Sequence, residues 1–207
     1  CKSEERTGKG AGESLEQSLK KLETDHFDLF QLHAMSNLEE VDQVFRPDGA
    51  MEVLVKARQK GLIRHIGFSA HNEDAAIALM DRFNFDSVLF PLNWVNLFNS
   101  GFGKRILEKA VEKNISRMAL KAMAKTTIKE GEEKKYQRCW YHPVEDKELA
   151  ALALRYTLSQ PITAAIPPGE MKFFRWAVGI AGSFRPITEE EVGILKRESE
   201  GQEPIFS

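Results

Sequence analysis

The residues of this chain best placed for chemistry close its apolar runs. His33 ends Phe27-Asp28-Leu29-Phe30-Gln31-Leu32-His33, Ser69 ends the run from Ile63, Asn93 the run from Ser87, and Lys121 the run from Ile115. An imidazole titrates near neutral pH, while hydroxyl and ammonium groups at such ends meet polar atoms of a ligand. Simple surface placement accounts for Ser69 and Lys121 equally well. A fifth run, Thr163 to Ile166, leads through Pro167-Pro168-Gly169 into a helical segment, whose free N–H groups and dipole favour a phosphate, with Lys172 and Arg175 nearby. Cys139 and His142 stand three residues apart in Cys139-Trp140-Tyr141-His142-Pro143. That pairing suits a metal or a nucleophile with its base. No second ligand pair accompanies it, so no metal site is expected, and the segment reads as a rim loop in which Trp140 and Tyr141 cover apolar area. Trp94 and Phe98 are expected to line the same mouth.

Strands and helices must alternate to place these ends together. Leu15, Leu19 and Leu22 recur at helical spacing before Thr24 and Asp25 stop the segment. Residues 1 to 12 read as a polar, glycine-rich linker. Gly8-Lys9-Gly10-Ala11-Gly12 has no strand before it and the wrong spacing for a dinucleotide fingerprint. After His33 comes an acidic loop, then a helix from about Gly49 to Lys60 closed by Gly61. The pattern continues with a strand over 63–69, a helix over 74–83, a strand over 87–93, a helix over 104–113 and a strand over 115–121. A polar stretch from Lys125 to Tyr136 interrupts it. Then follow a helix over 147–158, the short strand 163–166, a helix over 172–184 and a final helix over 188–198. Thr188 and the acidic run Glu189-Glu190-Glu191 read as an N-cap and first turn suited to the helix dipole. Such alternation implies a parallel sheet with right-handed crossovers, here of about five strands. A complete (β/α)8 barrel needs eight strands and typically about 250 residues. A five-stranded flavodoxin-like sheet is the alternative, and no phosphate-binding first turn supports it.

With 207 residues and 42% hydrophobic content, the chain can bury a core and reads as a single domain over 1–207. A formal charge of −2 argues against a nucleic-acid partner. No run approaches the roughly 18 apolar residues of a membrane span, and no signal peptide opens the sequence. Cys1 and Cys139 lack redox or metal spacing, which points to a reducing compartment, the cytoplasm. The chain opens on Cys rather than Met, so a processed or incomplete product is expected.

Three segments resemble the aldo/keto reductase family. Ser18 to His33 (SLKKLETDHFDLFQLH) is similar to the helix and fourth barrel strand of that family, Gly61 to Ser69 (GLIRHIGFS) to its fifth strand, and Ala165-Ile166-Pro167-Pro168-Gly169 to its eighth. The resemblance implies an incomplete (β/α)8 TIM barrel, an α/β fold holding strands four to eight with flanking helices and a C-terminal helix, the N-terminal strands being missing. It implies reduction of an aldehyde or ketone, a small-molecule carbonyl substrate, by hydride from NADP(H). In the family a tyrosine donates the proton, a lysine paired with an aspartate lowers the tyrosine's pKa, and a histidine orients the carbonyl. His33 matches that histidine. The aspartate, tyrosine and lysine belong to strands upstream of Cys1 and are expected to be absent, leaving an inactive fragment; the rival is a non-catalytic binding or regulatory module on the same scaffold. The resemblance assigns cofactor contacts to Ser69, Asn93, Lys121, Pro168 and Gly169.

Overall fold

The computed structural model describes residues 1–207. In chain order the elements are β1 (Lys2–Ser3), α1 (Gly8–Lys21), β2 (Phe27–Met35), α2 (Leu38–Phe45), α3 (Ala50–Gln59), β3 (Ile63–Ala70), α4 (Glu73–Arg82), β4 (Ser87–Pro91), α5 (Trp94–Asn99) and α6 (Lys104–Glu112). They continue with β5 (Ser116–Leu120), β6 (Ala124–Thr127), β7 (Tyr141–Pro143), α7 (Lys147–Leu158), β8 (Ala164–Ala165), α8 (Met171–Gly182) and α9 (Glu189–Ser199). The chain divides into two compact units, one of residues 1–89 and 108–116, the other of residues 90–107 and 117–207.

The strand order is β1-β2-β3-β4-β5-β8, an α/β fold with one parallel sheet of six strands and flanking helices. Strands β4 and β5 each start in the first unit and end in the second. The Ser116 N–H donates to the Asp86 carbonyl at 3.0 Å at one end, and the Leu92 N–H to the Leu120 carbonyl at 3.0 Å at the other. The sheet holds one strand more than the sequence pattern shows, because β1 has only two residues and two residues carry no periodicity.

In the first unit, register decides which side chains share a face. Gln31 lies opposite Gly67 and Gly67 opposite Ser87, while Leu32, Phe68 and Val88 line up on the other face. Phe30, Leu32, Ile66, Phe68 and Val88 are fully buried with Leu54, Leu79 and Met80 from the helices. Gly67 keeps the polar face close-packed, since a Cβ there would stand 2.1 Å from Ser87 Oγ.

Capping chemistry explains the helix starts, including those the apolar pattern hides. Gly8 to Gly12 is no linker but the opening of α1, whose N-cap Thr7 accepts the Gly10 N–H at 3.2 Å. Asn37 caps α2 inside the supposed acidic loop, accepting the Glu40 N–H at 2.9 Å. Asn93 caps α5, so β4 stops at Pro91 rather than running to Asn93. Gly61 closes α3 at φ +76°, a conformation in which glycine avoids a Cβ clash.

In the second unit α7, α8 and α9 pack around Trp94, Leu154, Phe173 and Leu195. Trp94 does not line a mouth. It is fully buried and its indole N–H donates to the Ala124 carbonyl at 3.0 Å, so it satisfies its one polar atom inside the core. The polar interruption is bounded by a two-stranded antiparallel hairpin, β6 with β7, which the sequence pattern missed because its strands are 4 and 3 residues long. Thr188 and Glu191 form the reciprocal capping box at the start of α9, as the acidic run suggests.

Candidate active site

His33 owes its orientation to a bulge. Leu32 pairs with Phe68 and Met35 with Ala70, so two residues of β2, His33 and Ala34, stand opposite the single Ser69 of β3. Ser69 serves both. Its Oγ accepts the Ala34 N–H at 2.7 Å and lies 3.1 Å from His33 Nδ1. Ala34 sits at φ +53°, a left-handed conformation unusual for a residue with a Cβ. Ser69 itself is 2% exposed, its hydroxyl already engaged by β2.

Lys2 completes this cluster and is the residue sequence reasoning missed. Strand β1 pairs in parallel with β2, Lys2 opposite Gln31 and Ser3 opposite Leu32, and the Gln31 N–H donates to the Cys1 carbonyl at 2.9 Å. Lys2 Nζ lies 3.2 Å from His33 Nε2. The resemblance puts the family's lysine at the end of the third strand, expected upstream of Cys1. β1 instead occupies the position before the strand that the resemblance numbers fourth, and Lys2 stands on it. A two-residue strand gives no pattern, but a lysine shortly before the helix cap at Thr7 is a positional signal that was available.

The ring nitrogens are assigned by their partners. An ammonium has donors and no acceptor, so His33 Nε2 accepts from Lys2 and the ring proton sits on Nδ1, donated to Ser69 Oγ. Burial, and after it the positive charge of Lys2, holds the His33 pKa below the usual histidine range, with Glu4 opposing and Arg6 adding to the fall. Glu4 Oε1 is 3.7 Å from Nε2 and mostly exposed.

The other assigned residues belong to the second unit. Asn93 is 1% exposed; its Oδ1 accepts the Asn96 N–H at 2.9 Å, which fixes the amide orientation and leaves Nδ2 buried without a partner. That orphaned donor fits an acceptor on a bound molecule, because a buried unpaired N–H is costly. Lys121 has φ +67°, and its Nζ stands over the Trp140 ring at 4.7 Å and the Tyr141 ring at 5.1 Å. Beneath them Cys139 is buried, and burial, then the neighbouring Cys139, pushes the Tyr141 phenol far above its ordinary pKa. His142 pairs with Glu132 at 2.9 Å, away from a shared site with Cys139. Pro168 is buried and Gly169 exposed just ahead of α8. Glu170 is the N-cap residue there, yet its side chain caps no N–H of α8; its Oε1 accepts the Arg138 N–H at 2.7 Å instead. Lys172 covers the Trp176 ring at 4.8 Å. His65 bonds Asp86 at 3.2 Å and His26 bonds Asp25 at 2.6 Å, each engaged outside the His33 cluster. No helix is long and apolar enough to cross a membrane.

Known proteins share this architecture. The profile of the Aldo/keto reductase family matches residues 2–196. An uncharacterized oxidoreductase, YqkF, of Bacillus subtilis is 23% identical over 201 residues, covering 89% of this chain. The chain spans 64% of that relative's length. Among solved structures, aldo-keto reductase AKR11C1 from Bacillus halodurans in its apo form superposes with a TM-score of 0.65 at 19% identity, over 99% of this chain and 72% of that one. A Bombyx mori aldo-keto reductase, AKR2E4, in complex with NADP, gives 0.65 at 19% identity over 95% and 66%. A thermostable aldo-keto reductase, Tm1743, bound to the inhibitor epalrestat, gives 0.66 at 18% identity over 95% and 69%. With strand order, helix placement and the profile in agreement, the chain belongs to the aldo/keto reductase family.

Proposed function

We propose that this chain supplies the carbonyl-orienting and cofactor-contacting part of an NADP(H)-dependent reductase site acting on aldehydes or ketones. The observation that carries the reading is the pair Lys2 Nζ and His33 Nε2, 3.2 Å apart on adjacent parallel strands. Lysine and histidine are two of the groups that the family's chemistry needs. NADPH supplies the hydride when bound. His33 then orients the carbonyl through Nε2, and Lys2 offsets negative charge building on the carbonyl oxygen and lowers the pKa of a proton donor set beside it.

For the cofactor contacts we assign Ser69 in the first unit and Asn93, Lys121, Pro168 and Gly169 in the second. Asn93 Nδ2 is a buried donor without a partner, as is Asn96 Nδ2 in the first turn of α5, so a bound acceptor is one way to satisfy it. A phosphate beside Pro168 and Gly169 would draw on Lys172 and on the N–H groups at the start of α8, which the Glu170 side chain leaves uncapped.

None of the tyrosines present is suited to donate the proton. Tyr141 is buried against Cys139, Tyr156 packs on Phe98 with ring centroids 5.1 Å apart, and Tyr136 packs on Phe173 at 5.0 Å. We therefore propose that these 207 residues bind NADPH without turning it over. Titration of the purified chain with NADPH, followed by nicotinamide fluorescence, is expected to saturate with a Kd between about 1 μM and 1 mM, the range of ordinary KM values. A panel of aldehydes is expected to leave NADPH absorbance unchanged. A titration that never saturates sinks the cofactor assignment, and steady turnover sinks the missing-donor argument.

A further inference from the structure

We propose that Arg6 and Ser69 are positioning residues for His33, acting together as a clamp on the bulge that carries it. The proposal rests on the reading of His33 as the group that meets the carbonyl.

The clamp closes on the bulge from two sides. Arg6 Nη2 donates to the His33 carbonyl at 2.8 Å and lies 3.5 Å from the Ala34 carbonyl, while Ser69 Oγ accepts the Ala34 N–H at 2.7 Å. Two successive carbonyls and the N–H between them are thus all engaged by side chains. Ala34 at φ +53° needs that, because a residue with a Cβ holds the left-handed region only when its surroundings impose it. Arg6 is itself held. Its guanidinium pairs with Glu40 Oε1 at 3.2 Å, and Glu40 Oε2 accepts both the Ser36 N–H at 2.7 Å and the Ser36 hydroxyl at 2.9 Å. The Arg6 carbonyl accepts the Ala50 N–H at 2.9 Å, and its side chain is 13% exposed.

The clamp fixes a ring as well as a backbone. With Lys2 donating to Nε2, the proton on Nδ1 is donated to Ser69 Oγ. A hydroxyl is both donor and acceptor. When a carbonyl oxygen enters between Lys2 Nζ and His33 Nε2, the ring loses its Nδ1 proton to solvent and gains one on Nε2 from solvent. The carbonyl then accepts from Nε2–H, and Ser69 turns its hydroxyl proton toward Nδ1. A ring that has drifted from Ser69 loses its Nδ1 partner in both states and, in the free chain, also leaves the reach of Lys2, so neither nitrogen is assigned. Arginine is suited to the other side of the clamp because its planar fork reaches several acceptors at once, where lysine offers a point charge.

The test is the tautomer of His33, read by nitrogen-15 NMR of the ring in the full chain without cofactor or substrate, above the histidine titration range. The wild-type chain is expected to show a single Nδ1–H tautomer. Arg6→Gln and Ser69→Ala are each expected to give a mixture of the two tautomers, and Arg6→Lys, which keeps the charge, is expected to do the same. Circular dichroism identifies any variant that fails to fold, and Ser69→Ala, the smaller change, then carries the result. A mixed population in the wild type overturns the proposal, as does a wild-type signal in both Arg6→Gln and Ser69→Ala. A wild-type signal in Arg6→Lys overturns the geometric role of Arg6. Because the readout needs no NADPH, a failed cofactor titration and a failed clamp are told apart.

Discussion

Replacing Glu191 by glutamine isolates one charge in the best-connected ion pair of the second unit. Arg155 Nη1 and Nη2 donate to the two Glu191 oxygens at 2.8 and 2.7 Å, a bidentate fork. Arg185 adds a bond at 2.7 Å and the Thr188 N–H another at 2.9 Å. The hydrogen bond from Arg155, above all, pulls the Glu191 carboxyl from an ordinary 4.5 down to about 2, against the opposing effect of burial. At about 1.4 kcal/mol for each tenfold change in proton affinity, that difference corresponds to a ceiling of about 3 kcal/mol. Glu191 is 15% exposed and Arg185 is 62% exposed, so solvent screening reduces the expected contribution to about 2 kcal/mol. Glutamine keeps an acceptor for the capping box, leaving the charge as the main difference. The depressed carboxyl contributes stability that is complete above pH 4.5 and is lost as pH falls toward 2. Urea unfolding of both proteins should therefore show Glu191→Gln less stable by about 2 kcal/mol at pH 7 and pH 5, with a smaller gap at pH 4 and smaller again at pH 3. A gap that does not change with pH, or one below about 0.5 kcal/mol at pH 7, refutes the reasoning.

Two further outcomes follow from the first unit. Gly67→Ala places a Cβ 2.1 Å from Ser87 Oγ and 3.0 Å from the Ser87 carbonyl, and overpacking of this kind costs about 1–3 kcal/mol in a thermal or urea melt; an unchanged midpoint would show that Ser87 moves aside freely. Lys2→Met removes a positive charge that holds the His33 pKa down, so the NMR titration midpoint of His33 should rise, and a midpoint that stays or falls would separate Lys2 from the ring.

The sequence shows its fold where elements are long and shows little where they are short. Helix α7 and strand β3 follow directly from apolar periodicity and stop signals. By contrast, β1 and the hairpin β6–β7 are held by tertiary pairing, with too few residues for any period to emerge. Glycines misled the reading of α1. Gly8, Gly10 and Gly12 lower helix propensity, yet Thr7 and the packing of Ala11 and Leu15 override them. Asn93 was read as a strand end and is a helix cap, because Asn serves both and only the chain direction after Pro91 decides.

The candidate site was legible at His33 and Ser69 because strand ends concentrate polar groups above a parallel sheet. What joins those two residues was not. A bulge is one extra residue in one strand, and no alternation of FDLFQLHAM reveals that His33 and Ala34 share a partner. Lys2 and Arg6 were hidden for a different reason. The roles proposed for them depend on β1 lying beside β2, a contact across about thirty residues of chain that local pattern does not encode.

Whether His33 belongs to a nicotinamide cofactor site, as proposed, is tested most directly by NMR of the full chain with the His33 ring as reporter while NADP⁺ is added. The expected result is a His33 signal that shifts and saturates along the binding curve. NADP⁺ binding that leaves the His33 signal unmoved, or no binding at all, would contradict the proposal.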